Sequence, residues 1–174
     1  MTLENCPQVL IDRKEIEVAV QRLANEITRD YKDKHPLIIV MLKGSFIFAA
    51  DLIRRLDFPL EIEFLRLSSY GEKKESSGTV NIIQGLHVPI KDRHVLILED
   101  IIDTGHTISF LMNYLGKMQS ASLKLCALSD KPSRRQVPIT IDYLGFTVPN
   151  KFIVGYGIDW DEKYRYLPDI CVIE

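Results

Sequence analysis

Two short apolar runs constrain the fold more than any other feature of the chain. Leu37-Ile-Ile-Val-Met-Leu42 and Val95-Leu-Ile-Leu98 are continuous, rich in β-branched residues, and suited to strands covered on both faces. The first passes through Lys43-Gly44-Ser45 into a helical pattern of Phe46, Ala49, Leu52, Ile53 and Leu56. The second ends at Glu99-Asp100 and is followed by Phe110, Leu111, Tyr114, Leu115 and Met118 at helical spacing. Strand, glycine-containing turn and helix open a βαβ unit, and its repetition predicts a parallel sheet with helices on both faces.

The remaining elements fit around that sheet. Asp12 and Glu15 form a capping box ahead of Ile16, Ala19, Val20, Leu23, Ala24, Ile27 and Tyr31, whose spacing predicts an amphipathic helix. Glu61 to Leu67 alternates charged and apolar residues as a partly exposed strand does, with Glu61, Glu63 and Arg66 set against Ile62, Phe64 and Leu67. Segment 68–79 carries two glycines, four serines and the Glu-Lys-Lys-Glu run at 72–75, and reads as a mobile loop, with Val80 to Ile83 pairing back. Leu123 to Leu128, Phe152 to Val154 and Cys171 to Ile173 are further strands. With 174 residues, 46% of them hydrophobic, and no linker or repeat, one domain spanning residues 1–174 is expected.

Composition narrows the function classes. The net charge of -2 gives no electrostatic case for nucleic acid. The longest apolar run, 37–42, is far short of the roughly 20 residues that cross a bilayer. Met1 to Pro7 lacks a basic region followed by an apolar stretch, so a cytoplasmic location is expected. Cys6, Cys126 and Cys171 are odd in number and far apart, which fits neither a disulfide framework nor a zinc ribbon.

The chemistry concentrates in Val95 to Thr107. Glu99-Asp100 followed by Thr104, Gly105 and Thr107 at these offsets is expected in about three of ten thousand such chains. In an open α/β sheet ligands bind beyond the carboxyl ends of strands, where Glu99-Asp100 would lie. Asp103 to Thr107 would then open the next helix, with free N–H groups and the Thr104 and Thr107 hydroxyls forming a phosphate cup. Carboxylates in front of such a cup repel phosphate, so their targets are sugar hydroxyls or a metal. A sugar phosphate is the ligand class that follows.

The 95–107 stretch resembles the phosphoribosyl-diphosphate (PRPP) motif of type I phosphoribosyltransferases, and Asp103 is similar to the hypoxanthine-guanine branch of that family. Leu42-Lys43-Gly44, Ser69-Tyr70, Lys131, Phe152 to Tyr156, Asp159 and Arg165 follow in the family's order over essentially the whole chain. The resemblance implies a mostly parallel central sheet flanked by helices, a small hood from the N- and C-terminal segments, and a flexible active-site loop at about 68–80. It further implies Mg²⁺-dependent transfer of the phosphoribosyl group from PRPP to N9 of hypoxanthine or guanine, giving IMP or GMP and pyrophosphate.

Roles follow on the same basis. Glu99 and Asp100 would bind the ribose hydroxyls, and Asp103, Thr104, Gly105, His106 and Thr107 the 5-phosphate. Asp103 would also accept a proton at purine N7. Lys43, Gly44 and Arg165 would contact pyrophosphate, across a Leu42–Lys43 bond that the family holds cis. Lys131 would donate to the 6-oxo group, and a cation there is the wrong partner for adenine's amino group. Phe152 would stack on the base, with Ile153 and Asp159 beside it, while Ser69 and Tyr70 would ride on the closing loop. Glu99, Asp100 and Asp159 would be the metal-associated acids, and a homodimer or homotetramer is implied.

Taken singly, each residue has a plainer reading: Lys43, Lys131 and Arg165 as solvated charges, Phe152 as core, Asp159-Trp160-Asp161-Glu162 as an acidic loop. Their collective order favours the enzyme. A PRPP-sensing regulator and an inactive interaction protein on the same fold stay open as rivals. A regulator would carry a basic face, and beyond Lys131 the sequence offers only Arg134-Arg135.

Overall fold

The structure, a computed structural model, describes residues 7–69 and 80–173. Tyr70 and most of the anticipated loop at 68–80 therefore lie outside the described residues. Six strands form one sheet in the order β4-β3-β2-β5-β6-β7, with β2 Leu37–Leu42, β3 Glu61–Ser69, β4 Val80–Gln84, β5 His94–Ile102, β6 Ser122–Asp130 and β7 Tyr143–Thr147. All neighbours are parallel except β3 and β4. A separate antiparallel sheet, β1-β9-β8, joins β1 Gln8–Ile11, β9 Ile170–Ile173 and β8 Phe152–Val154.

The helices lie on both faces of the parallel sheet, as the alternation of strand and helix predicts. Helix α1 (Arg13–Tyr31) starts at the capping box, where Asp12 accepts from the Lys14 and Glu15 N–H groups and Glu15 reaches back to the Asp12 N–H. All seven positions of its apolar pattern are buried. They pack with α2 (Phe46–Ile53) on one face of the sheet, against Ile38, Val40, Leu96 and Leu98. Helix α3 (His106–Gly116) covers the other face with Ile108, Leu111 and Leu115, against Ile39, Ile97 and Leu125.

Several expectations change. The strands at 152–154 and 171–173 exist, but they belong to the hood sheet rather than the parallel one. Strands β1 and β7 have no counterpart in the periodicity. In α2 the buried aromatic is Phe48, and Phe46 is exposed, because the helix starts at Phe46 and turns that residue outward. On β3, Ile62 and Phe64 are 42% and 43% exposed and Leu65 is buried. Ile62 and Phe64 align with Ile38 and Val40 of β2, but α2 covers β2 and leaves the neighbouring strand open. Cys126 and Cys171 are buried, in line with small core thiols.

The topology sets the site. From β2 the chain pairs to one side with β3 and later to the other side with β5, so the crevice between β2 and β5 is the point where strand order reverses. Ligands of open α/β sheets bind at such a point, beyond the carboxyl ends of the strands.

Candidate active site

Strands β2 and β5 pair from Leu37–Val95 to Val40–Leu98 and then separate, whereas β5 stays paired with β6 as far as Ile102–Asp130. Glu99 and Asp100 therefore lie within β5, not beyond its end as expected, on a stretch whose β2 side is vacated. The strand continues because β6 still supplies hydrogen-bond partners for a segment with acidic side chains. Asp100 is buried, and its carbonyl accepts from the Ser129 hydroxyl at 2.8 Å. Burial of its carboxyl, and next the neighbouring Asp100, push Glu99 well above the ordinary carboxylate range. A pair of this kind gains from a cation or from hydroxyl donors.

Beyond β5 the chain makes the cup. Gly105 has φ 91 as N-cap of α3, a left-handed conformation that glycine adopts without penalty. A Cβ there would press on Val137, Ile139 and the Arg135 guanidinium. The first turn of α3 thus begins at His106, and its free N–H groups face a cavity of about 150 Å³ lined by Glu99, Asp103, Thr104, Gly105, Thr107 and Ile108. Donors at a helix start, with two hydroxyls, suit a phosphate. His106 is exposed, and its Nε2 lies 2.9 Å from Gln136 Oε1.

A strap after β6 braces this cup. The Lys131 N–H donates to the Ile102 carbonyl at 2.9 Å, and the Gln136 N–H to the Thr104 carbonyl at 2.9 Å. Arg134 Nε reaches the Asp103 carboxylate at 3.0 Å, and Arg135 Nη1 the Asp103 carbonyl at 3.0 Å. Arg135 also pairs with Asp130. Lys131 as a residue is 6% exposed, and its ammonium makes no ion pair among the described residues. An ammonium with no carboxylate partner is available to a neutral acceptor such as a carbonyl. The two arginines of the strap were legible only as a small basic cluster. The structure gives them a bracing role that no spacing rule would have suggested.

Lys43 and Gly44 follow β2, and the Leu42–Lys43 bond is cis. Gly44 lies so close to Asp100 that a Cβ would collide with its carboxylate. Facing this turn is the hood loop 159–165. Arg165 donates from Nη1 to the Gly157 carbonyl at 2.8 Å and pairs through Nη2 with Asp159 at 2.8 Å. Lys43 Nζ lies 2.7 Å from Glu162 Oε1, and Arg165 Nη2 lies 3.2 Å from Glu162 Oε2. Lys43 first, and then Arg165, hold Glu162 below the usual carboxylate range. Glu162 appeared in the sequence only as part of an acidic loop.

Phe152 begins β8 with its side chain 53% exposed, and Ile153 is buried. Its ring meets Trp160 edge to face at 6.4 Å, and Trp160 stacks on Tyr164 at 6.5 Å. Phe152 is thus an exposed ring rather than a core residue, and Trp160 lies beside it. Ser69 ends β3, and Tyr70 lies outside the described residues.

Among the described residues no three His, Cys, Asp or Glu side chains gather as a metal cage, so Glu99, Asp100 and Asp159 do not share one protein-only shell. Asp159 is engaged by Arg165 instead. The adjacent Glu99-Asp100 carboxylates fit magnesium, which binds through one or two carboxylates and completes its shell with water and phosphate oxygens.

Comparison with known proteins agrees with this geometry. Residues 10–161 match the model of the phosphoribosyl transferase domain. The chain is 44% identical to the hypoxanthine-guanine phosphoribosyltransferase of Bacillus subtilis over 174 residues, covering all of this chain and 97% of that protein. It is also 44% identical to the bifunctional protein TilS/HprT of Listeria innocua over 96% of this chain, but spans only 26% of that protein's length. A crystal structure of a hypoxanthine-guanine phosphoribosyltransferase from Bacillus anthracis superposes with a TM-score of 0.91 at 43% identity, covering 96% of this chain and 98% of that one.

Proposed function

The chain belongs to the phosphoribosyl transferase domain family, and from that premise we propose that it is a purine-salvage enzyme. It joins N9 of hypoxanthine or guanine to C1 of the ribose of PRPP, giving IMP or GMP and releasing pyrophosphate. The observation that carries this reading is Lys131, a mostly buried residue whose ammonium has no acidic partner among the described residues, one residue beyond β6 and hydrogen-bonded through its backbone to the end of β5.

In this reading the Thr104–Thr107 cup holds the 5-phosphate and the Glu99-Asp100 pair holds the ribose hydroxyls, fixing C1 in the crevice between β2 and β5. Lys131 donates to the purine 6-oxo group and Phe152 stacks on the ring. Asp103, beside the cup, takes the proton of purine N7 as N9 attacks. The reaction passes through an oxocarbenium-like state, so alignment of the two reactants supplies much of the rate. Lys43 and Arg165 stabilise charge on the departing pyrophosphate. Magnesium bound with the pyrophosphate would neutralise further charge on it, with Glu99 and Asp100 as the protein acids nearest that task and Asp159 at its hood side.

We place the enzyme in the cytoplasm as a homodimer or homotetramer. No described helix is long and apolar enough to cross a membrane, and the open Ile62–Phe64 face of β3 offers apolar surface for a second copy. The test is pyrophosphate release with PRPP and magnesium on hypoxanthine, guanine, xanthine and adenine offered separately. Turnover of 6-oxopurines without adenine is expected. PRPP binding with no turnover on any base would favour a PRPP-sensing regulator.

A further inference from the structure

We propose that Glu162 is a built-in stand-in for pyrophosphate, which holds Lys43 and Arg165 neutralised in the free enzyme and is displaced by the diphosphate of the substrate. The inference rests on the assignment of Lys43 and Arg165 to pyrophosphate made above. The two Glu162 oxygens divide between the two cations, Oε1 at 2.7 Å from Lys43 Nζ and Oε2 at 3.2 Å from Arg165 Nη2. An O–C–O unit thus spans the same pair of donors that an O–P–O unit of a diphosphate would span. The contact joins residues 119 positions apart, one after β2 and one in the hood, so it closes across the mouth of the site.

The three partners differ in how firmly they are held. Arg165 is anchored by the Gly157 carbonyl and by Asp159, and its buried Nε has no partner among the described residues. Lys43 follows β2, and its side chain is 44% exposed. Glu162 has the most exposed side chain of the three, 64% against 44% for Lys43 and 19% for Arg165. Its backbone has φ 59, after Asp161 at φ 53 and before Tyr164 at φ 71, in a region that residues with side chains seldom adopt. An ion pair this exposed holds weakly and yields to a ligand of higher charge.

The charge count gives the purpose. Lys43, Arg165, Asp159 and Glu162 sum to zero while Glu162 is in place, so the empty site is not an indiscriminate anion trap. Once a diphosphate binds, the Glu162 carboxylate becomes a like charge beside it and opposes its retention. Glu162 therefore sets the affinity for pyrophosphate and favours its release as product.

The test compares wild-type enzyme with Glu162→Gln, using inorganic pyrophosphate as inhibitor against PRPP. Glu162→Gln is expected to bind pyrophosphate about threefold to tenfold more tightly and to lower the KM for PRPP in parallel, without moving the KM for hypoxanthine. Glu162→Gly, which suits φ 59 and also removes the carboxylate, is expected to show the same tightening. Unchanged or weaker pyrophosphate inhibition in both variants would overturn the proposal and make Glu162 a brace of its loop. Wild-type enzyme that neither turns over nor binds pyrophosphate would instead overturn the underlying assignment of function, and this inference with it.

Discussion

Arg134 donates from Nε to the Asp103 carboxylate across 3.0 Å, binding the strap after β6 to the residue that stands at the edge of the phosphate cup. Both side chains are close to half exposed, so the pair adds less than about 1 kcal/mol to stability, and its value lies in choosing one orientation of the carboxylate. Asp103→Asn should lower kcat by about 10²- to 10⁴-fold, the usual weight of a general base. Arg134→Ala should lower kcat by a few-fold to about tenfold with an unchanged melting temperature, and Arg134→Lys should restore part of it. Steady-state kinetics beside a thermal melt separates the two effects.

On the proposed reading, Lys131 selects the base. A charged donor lost from a buried carbonyl contact costs about 1.5–3 kcal/mol, so Lys131→Met should reduce kcat/KM for hypoxanthine and guanine by about 10- to 100-fold. The loss should appear mainly as a higher KM. Preference for 6-oxopurines over adenine should narrow, and competition between the bases reads that directly.

Gly44 is a contact rather than a hinge. The Asp100 carboxylate occupies the space a methyl group would need, so Gly44→Ala should displace the acid proposed to bind the sugar. Displacement of about 1 Å costs on the order of 10²-fold in rate. Overpacking of this kind costs about 1–3 kcal/mol of stability, which denaturant unfolding measures.

Acid should unfold the protein partly through Asp30. The Tyr143 hydroxyl donates to Asp30 at 2.7 Å, and with Arg29 and Lys124 nearby its carboxyl falls from 3.8 to about 2. A depressed carboxylate stabilises the folded state at pH above about 3.8, and that contribution fades as pH falls toward about 2. The contribution is on the order of 2 kcal/mol at most, from about 1.4 kcal/mol per unit. Tyr143→Phe should therefore be less stable than wild type at pH 7, and the gap should shrink at pH 2. Urea unfolding across that range checks the sign.

What the sequence disclosed depended on whether the cause was local. The α1 cap and its seven buried positions were legible because capping and helical spacing are set within a few residues. The turn at 103–107 that opens α3 was legible for the same reason. The end of β5 was misjudged because its continuation through Glu99-Asp100 depends on pairing with β6, more than 20 residues away. Ile62 and Phe64 alternate as buried residues do, yet only the position of α2 decides that their face is open. Strand β7 carries Gly145 in its middle and gives little periodic signal. Glu162 and Arg134 owe their importance to partners 119 and 31 residues distant, which no local pattern encodes.

The hood sheet has one further consequence. Strand β8, which carries Phe152, has β9 as its one sheet neighbour, and β9 is made only at Ile170–Ile173. On the ribosome, residues 37–131 emerge earlier and can assemble the half of the site proposed for the sugar phosphate while the proposed platform for the base still lacks its pairing strand. Synthesis thus delivers the two halves of the site one after the other, phosphate cup first.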